Sequence, residues 1–123
     1  MDKKEIKRFT RLLQELQKID AEFPLQYAVC LAEIALDEGL SVSELAHKTN
    51  LALSTVSRIV GALSTARQKG TPYGLVKVAI SARERRRKEI TLTPKGQATI
   101  DSVSDIMSTK SASGLEKPQT VSN

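Results

Sequence analysis

Leu40-Ser41-Val42-Ser43-Glu44-Leu45-Ala46-His47-Lys48-Thr49-Asn50-Leu51-Ala52-Leu53-Ser54-Thr55-Val56-Ser57-Arg58-Ile59-Val60 is the stretch that decides the fold. Ser41 and Glu44 have the spacing of a capping box: the hydroxyl accepts the Glu44 N–H, and the carboxylate reaches back to the Ser41 N–H. A short helix over about 42–48 follows, with Leu45 and Ala46 turned inward. Thr49-Asn50-Leu51 breaks it, because Asn tolerates the left-handed conformation of a tight turn. A second helix over about 53–66 turns Val56, Ile59, Val60 and Leu63 inward and Ser54, Thr55, Ser57 and Arg58 mostly outward. Two short helices meeting at such a turn form a helix-turn-helix. Where this motif binds DNA, the second helix lies in the major groove with its N-terminal residues against base edges. Ser54, Thr55, Ser57 and Arg58 are therefore candidate contacts: small hydroxyls permit close approach, and Arg58 reaches a guanine edge or a phosphate. A plain helical hairpin has the same pattern, so the flanking sequence must discriminate.

Downstream, Gly70-Thr71-Pro72-Tyr73-Gly74 is a loop by its glycines and proline. Residues 75–80 read as a strand, 89–92 as a second, and 81–88 as an Arg-rich connection between them. Arg83-Glu84-Arg85-Arg86-Arg87-Lys88 puts five cations in six residues at the tip. Such crowding repels itself and is relieved by an anionic partner, and a narrow minor groove favours inserted Arg. A solvated basic loop is the plainer alternative. Pro94 starts a last helix that runs to about Met107, and the small polar residues from Ser108 onward read as a disordered tail.

Upstream, Ile6, Phe9, Leu12, Leu13, Leu16 and Ile19 form the apolar stripe of an amphipathic helix over 3–19. Pro24 suits the first turn of a helix over about 24–38, whose apolar residues wrap more than one face, and Gly39 is a plausible stop.

Composition and charge bound the function. The 123 residues fit one domain with a modest core. Net charge is +5, but residues 51–96 carry +8 and residues 21–50 carry −4, the asymmetry of a nucleic-acid binder. Four aromatics and no Trp argue against a base-stacking platform for single strands. No apolar stretch approaches the ~18–20 residues of a membrane span, and no h-region follows Met1-Asp2-Lys3-Lys4-Glu5. A cytoplasmic location is expected. Cys30 and His47 are too few for a Cys/His metal site, so no metal or cofactor is expected. Cys30 lies on an apolar helix without flanking cations and reads as a buried, inert thiol; His47 reads as exposed. With no Gly-rich phosphate loop and no Ser/His/Asp set, an enzyme is not expected.

The order helix, helix, helix-turn-helix, hairpin, helix resembles the MarR (multiple-antibiotic-resistance regulator) family of winged-helix transcription factors. The matching stretches are residues 40–46, residues 54–60 and Arg83-Glu84-Arg85-Arg86-Arg87-Lys88-Glu89-Ile90-Thr91-Leu92-Thr93-Pro94-Lys95-Gly96. The resemblance covers roughly residues 5–107 and implies that Glu84 orients the wing and Arg86 enters the minor groove. Glu84 stands where the family usually has Asp. Ala52 stands where a capping Ser is common, a loss that costs about 0.5–2 kcal/mol. The segment 65–74 is longer than the family's link, which makes Lys69 and Tyr73 candidates for added contacts. The resemblance also implies a homodimer joined through terminal helices, here Ile6, Phe9, Leu12, Leu13, Leu16 and Ile19 with Ile100, Val103, Ile106 and Met107. A small-molecule effector is further implied, of a kind no residue here identifies.

The expected fold is mainly α with a two-stranded β-hairpin wing: a winged helix-turn-helix with N- and C-terminal dimerisation helices. The expected domains are residues 1–23, 24–96, 97–107 and a tail over 108–123. The expected function is a dimeric, sequence-specific regulator of double-stranded DNA, most simply a repressor, on a pseudo-palindrome with half-sites about one turn apart. Arg83, Arg85, Arg86, Arg87 and Lys88 serve the wing with Glu84. The alternatives are a winged-helix protein-interaction module and a replication or plasmid-maintenance initiator.

Overall fold

The structure, a computed structural model, describes residues 2–65, 72–84 and 87–108. Its elements are α1 (Lys3–Gln17), α2 (Leu25–Leu36), α3 (Val42–Thr49), α4 (Leu53–Leu63), β1 (Val76–Ile80), β2 (Lys88–Leu92) and α5 (Pro94–Ser108). The expected tail, Lys69, Arg85 and Arg86 lie outside the described residues. The described residues form two compact units: 22–100, and 2–21 together with 101–108. Among the described residues, no helix is long and apolar enough to cross a membrane.

In the larger unit, α2, α3 and α4 pack on one another, and α2 and α3 also meet β2. The core is Cys30, Leu31, Ile34, Leu40, Leu45, Val56, Ile59, Val60, Leu63, Leu75, Val76 and Ile90, all buried. Most come from a stripe of helical spacing or from a strand, which is how short amphipathic elements gain stability; Leu40 and Leu75 come instead from the segments just ahead of α3 and β1. Pro24 stands just ahead of the first turn of α2, and its carbonyl accepts the N–H groups of Tyr27 and Ala28. The helix stops at Leu36 rather than about 38, because Asp37 leaves helical geometry at φ −147°, ψ 69°. Only one face of α2 enters this core; Leu25 and Leu36 on its other side are 74% and 80% exposed.

The capping box at Ser41 forms as its spacing predicts: Glu44 N–H donates to Ser41 Oγ (3.1 Å) and Ser41 N–H to Glu44 Oε1 (2.8 Å). Asn50 takes the left-handed conformation (φ 57°), and Leu51 N–H closes the turn on the Ala46 carbonyl. The α4 helix ends at Leu63, short of the expected 66, where Ser64 turns away and its hydroxyl donates to the Gly61 carbonyl (2.8 Å).

β1 and β2 pair antiparallel, with Val76 opposite Leu92 and Ile80 opposite Lys88. The far edge of β2 is covered as well. Gly39 N–H donates to the Ile90 carbonyl (2.8 Å), Ile90 N–H to the Leu40 carbonyl (2.9 Å), and Leu92 N–H to Glu38 Oε1 (2.9 Å). Residues 38–40 thus act as a rudimentary third strand that satisfies an edge which would otherwise be open.

In the smaller unit, α1 starts on a second capping box, in which Lys4 N–H donates to Asp2 Oδ1 and Asp2 N–H to Glu5 Oε1. None of its residues is buried: Ile6, Phe9 and Leu13 are exposed, while Leu12 and Leu16 are half-buried; the helix ends at Gln17, short of the expected 19, so Ile19, also half-buried, lies beyond it. Arg11, Gln14, Glu15 and Lys18 line an open groove with Ser102, Asp105 and Ile106. Ile106 is buried, Val103 half-buried and Met107 exposed.

Candidate nucleic-acid interface

The face of α4 opposite the core carries the candidate recognition side chains. Ser54, Ser57 and Arg58 are exposed and Thr55 is half-buried. Ala52, extended at φ −62°, ψ 144°, precedes the first turn and supplies no side-chain cap. The first N–H groups of α4 therefore lack the acceptor that a Ser would give, and a helix N-terminus in this state attracts anions. Leu53 is 54% exposed beside Ser54. Sequence reasoning missed it, because its three-residue spacing to Val56 makes it look like the first member of the buried stripe. His47 is exposed on α3.

The wing rests on Ser81, which is buried. Its N–H donates to the Arg87 carbonyl (2.7 Å), and its hydroxyl accepts the N–H groups of Arg83 (3.1 Å) and Glu84 (3.3 Å). Arg87 N–H donates to the Glu84 carbonyl (2.9 Å). Ser81 thus ties the two ends of the tip together, its hydroxyl holding Arg83 and Glu84 and its backbone N–H holding Arg87, a turn role typical of Ser. Arg83, Glu84 and Lys88 are exposed. The expected pairing of roles between Glu84 and Arg86 involves a residue outside the described set.

Arg87 is placed differently from its neighbours. Its Nη2 donates to the Gly39 carbonyl (3.3 Å) and to Glu44 Oε1, and its Nε lies 3.9 Å from Glu89 Oε2. The same Glu44 oxygen accepts the Ser41 N–H. That backbone bond, then the Arg87 bond, holds the Glu44 carboxyl below its usual value, and the carboxylate raises the Arg87 pKa in turn.

Tyr73 corrects an expectation. It is 5% exposed and packs edge-on against Phe23 (ring centroids 5.2 Å) and Tyr27 (6.1 Å), with Phe23 on Tyr27 at 6.0 Å. The residues leaving the long link are also tied to the end of α4: Leu75 N–H donates to the Leu63 carbonyl (2.8 Å) and Gly74 N–H to that of Ser64 (3.0 Å). Tyr73 therefore fills the core beside α2, where burying an aromatic ring contributes more than exposing it.

Cys30 is fully buried, and burial, with the nearby Glu33 carboxylate, pushes its thiol pKa up. Among the described residues no group of three His, Cys, Asp or Glu could hold a metal ion.

Residues 31–67 match the IclR helix-turn-helix domain family, a span that covers the second half of α2, all of α3 and α4, and stops before the hairpin. No curated protein sequence matches. Among solved structures, the Staphylococcus aureus MepR–DNA complex superposes with a TM-score of 0.66 at 22% identity, over 84% of this chain and 76% of that one. A MarR-family transcription regulator gives 0.61 at 19% identity, over 80% and 60%. Bordetella bronchiseptica BpsR, whose DNA binding is regulated by 6-hydroxynicotinic acid, gives 0.58 at 19%, over 82% and 69%. The chain has the winged helix-turn-helix fold of the MarR-family regulators.

Proposed function

We propose that this protein is a homodimeric transcriptional regulator that binds double-stranded DNA sequence-specifically and acts as a repressor, a binding protein rather than an enzyme. The observation that carries the reading is the division of α4: Val56, Ile59, Val60 and Leu63 are buried while Ser54, Ser57 and Arg58 stand exposed on the other face. In a winged helix-turn-helix that outer face is the one offered to the major groove. Thr55 borders it. Arg83, Arg85 and Arg86, with Lys88, supply the positive charge of a minor-groove wing. The MepR structure with DNA, at the same fold, supports this use of the surface.

The dimer is supported by α1. Ile6, Phe9 and Leu13 are exposed along one face, and a stripe of this size is normally covered by a partner. Residues 1–23 and 97–107 are the assigned dimerisation segments, and residues 24–96 the DNA-binding domain. A small effector is an extension of the same reading, by analogy with BpsR.

The test is selection of bound duplexes from a random pool at about 150 mM salt, with the salt dependence of the winner measured. An enriched inverted repeat whose affinity falls steeply with salt is the expected result. Salt-sensitive binding without enrichment would instead support a protein-interaction module.

A further inference from the structure

Arg87 sits in the basic run of the wing, yet its surroundings differ from those of a phosphate contact. Three acceptors converge on its guanidinium: the Glu44 carboxylate, the Gly39 carbonyl and, more distantly, the Glu89 carboxylate. Arg83 and Lys88 are exposed, whereas Arg87 is half-buried. Its two main partners are Gly39, within the rudimentary third strand, and Glu44, the acid of the α3 capping box. Both ends of this connection are rigid. Glu44 is already fixed by the Ser41 N–H, and Gly39 and Leu40 are laced to Ile90 by two backbone hydrogen bonds. A planar guanidinium is suited to bridging two such acceptors, because its donors are fixed in a fork; an ammonium is not. A cation already neutralised by a carboxylate does little to neutralise a phosphate, and so releases few of the counterions condensed on the DNA.

We propose that Arg87 is a positioning residue: it clamps the base of the wing to the amino terminus of α3, fixing the wing relative to the helix-turn-helix, and makes no phosphate contact of its own. The consequence for DNA rests on the function proposed above; the clamp itself does not. The other wing cations supply the field, and Arg87 with Glu44 sets where that field stands relative to α4, which packs on α3. A clamp of this kind makes an acidic residue favourable to DNA binding, which a purely electrostatic account forbids.

The experiment compares the full chain with Arg87→Gln, Glu44→Gln and the double variant. Gln at 44 retains the acceptor that a capping box needs, so the start of α3 is preserved. On the selected duplex each single variant is expected to weaken binding about ten-fold, and the double to be no weaker than the worse single, since the two act through one contact. The salt slope of Arg87→Gln is expected to match wild type. A slope reduced by about one, with Glu44→Gln binding as tightly as wild type or tighter, makes Arg87 a phosphate contact and overturns the proposal. Amide exchange in the free protein gives a readout that needs no DNA. The Gly39 and Ile90 N–H groups should exchange faster in both single variants; unchanged protection overturns the clamp whatever the duplex does. A wild-type chain that binds no duplex, yet shows faster exchange in the variants, sinks the DNA-binding reading and leaves the clamp standing.

Discussion

A methyl group placed on Gly96 would lie 1.9 Å from the carbonyl oxygen of Leu75. The contact is between the first turn of α5 and the residue leading into β1, and it is backbone against backbone position, so no side-chain rotation relieves it. Around it, Thr93 Oγ1 accepts the Gly96 N–H (3.0 Å) and donates to the Gly74 carbonyl (2.6 Å), while Thr93 N–H donates to the Leu75 carbonyl (3.0 Å). The Leu92-Thr93-Pro94-Lys95-Gly96 run is thus a helix start docked edge-on against the chain that enters the wing. Gly96→Ala should cost about 1–3 kcal/mol or more through overpacking. Thermal unfolding is the measurement, and a midpoint equal to wild type would show that the close approach is not required.

Acid should loosen the base of the wing. The Ser41 and Arg87 hydrogen bonds favour charged Glu44 and lower its pKa from the usual 4.5. A carboxyl depressed in the folded state stabilises it at pH values above the unfolded-chain pKa, and that contribution fades as pH falls through the lower folded value. The stability gap between wild type and Glu44→Gln, present at neutral pH, should therefore shrink below roughly pH 4. Paired denaturant titrations across this range are the check, and a gap that stays constant into acid would refute it.

Leu53 and Arg58 should contribute to base recognition in different ways. The only apolar group in the major groove is the thymine methyl, and an exposed Leu beside Ser54 is suited to it. Replacing thymine by deoxyuridine at one position of the selected site should weaken wild type several-fold and leave Leu53→Ala unaffected. Arg58→Ala should relax preference at a guanine if Arg58 reads a base, or lower the salt slope by about one if it holds a phosphate. Fluorescence anisotropy on substituted duplexes separates these, and equal sensitivity of wild type and Leu53→Ala to deoxyuridine would remove Leu53 from the interface.

The α1 stripe should hold the dimer. Phe9 is 57% exposed at its centre, with Ile6 and Leu13 beside it. Phe9→Asp or Leu13→Asp places an unpaired carboxylate in that contact and should yield a folded monomer by sedimentation. Wild-type sedimentation as a monomer at tens of micromolar would overturn the assignment.

Cys30 should be unreactive in the native state. It is fully buried, and its thiol pKa is raised. An uncharged alkylating reagent should modify it far more slowly in buffer than in denaturant, because the thiolate is the nucleophile. Equal rates in both would show an accessible thiol.

What the sequence determined by itself was local. The Ser41–Glu44 box, the left-handed Asn50 turn, the stripe of Val56, Ile59, Val60 and Leu63, and the Ile90–Leu92 alternation each depend on residues within one or two turns of one another. Propensity, capping and periodicity act over that range, so these features could be read directly. The tertiary structure decided what joins residues far apart in the chain. Arg87 falls among five cations in six residues, and only the approach of Glu44 and Gly39 sets it apart from the other arginines. Tyr73 reads as part of an exposed link, and only Phe23 and Tyr27 bury it. Leu53 matches the buried stripe by spacing, yet the core ends before reaching it. Gly96 reads as one residue of a motif until Leu75 is brought against it. In each case the physical reason is the same. A side chain's role depends on which distant atoms fill the space around it, and periodicity along a single element carries no information about those atoms.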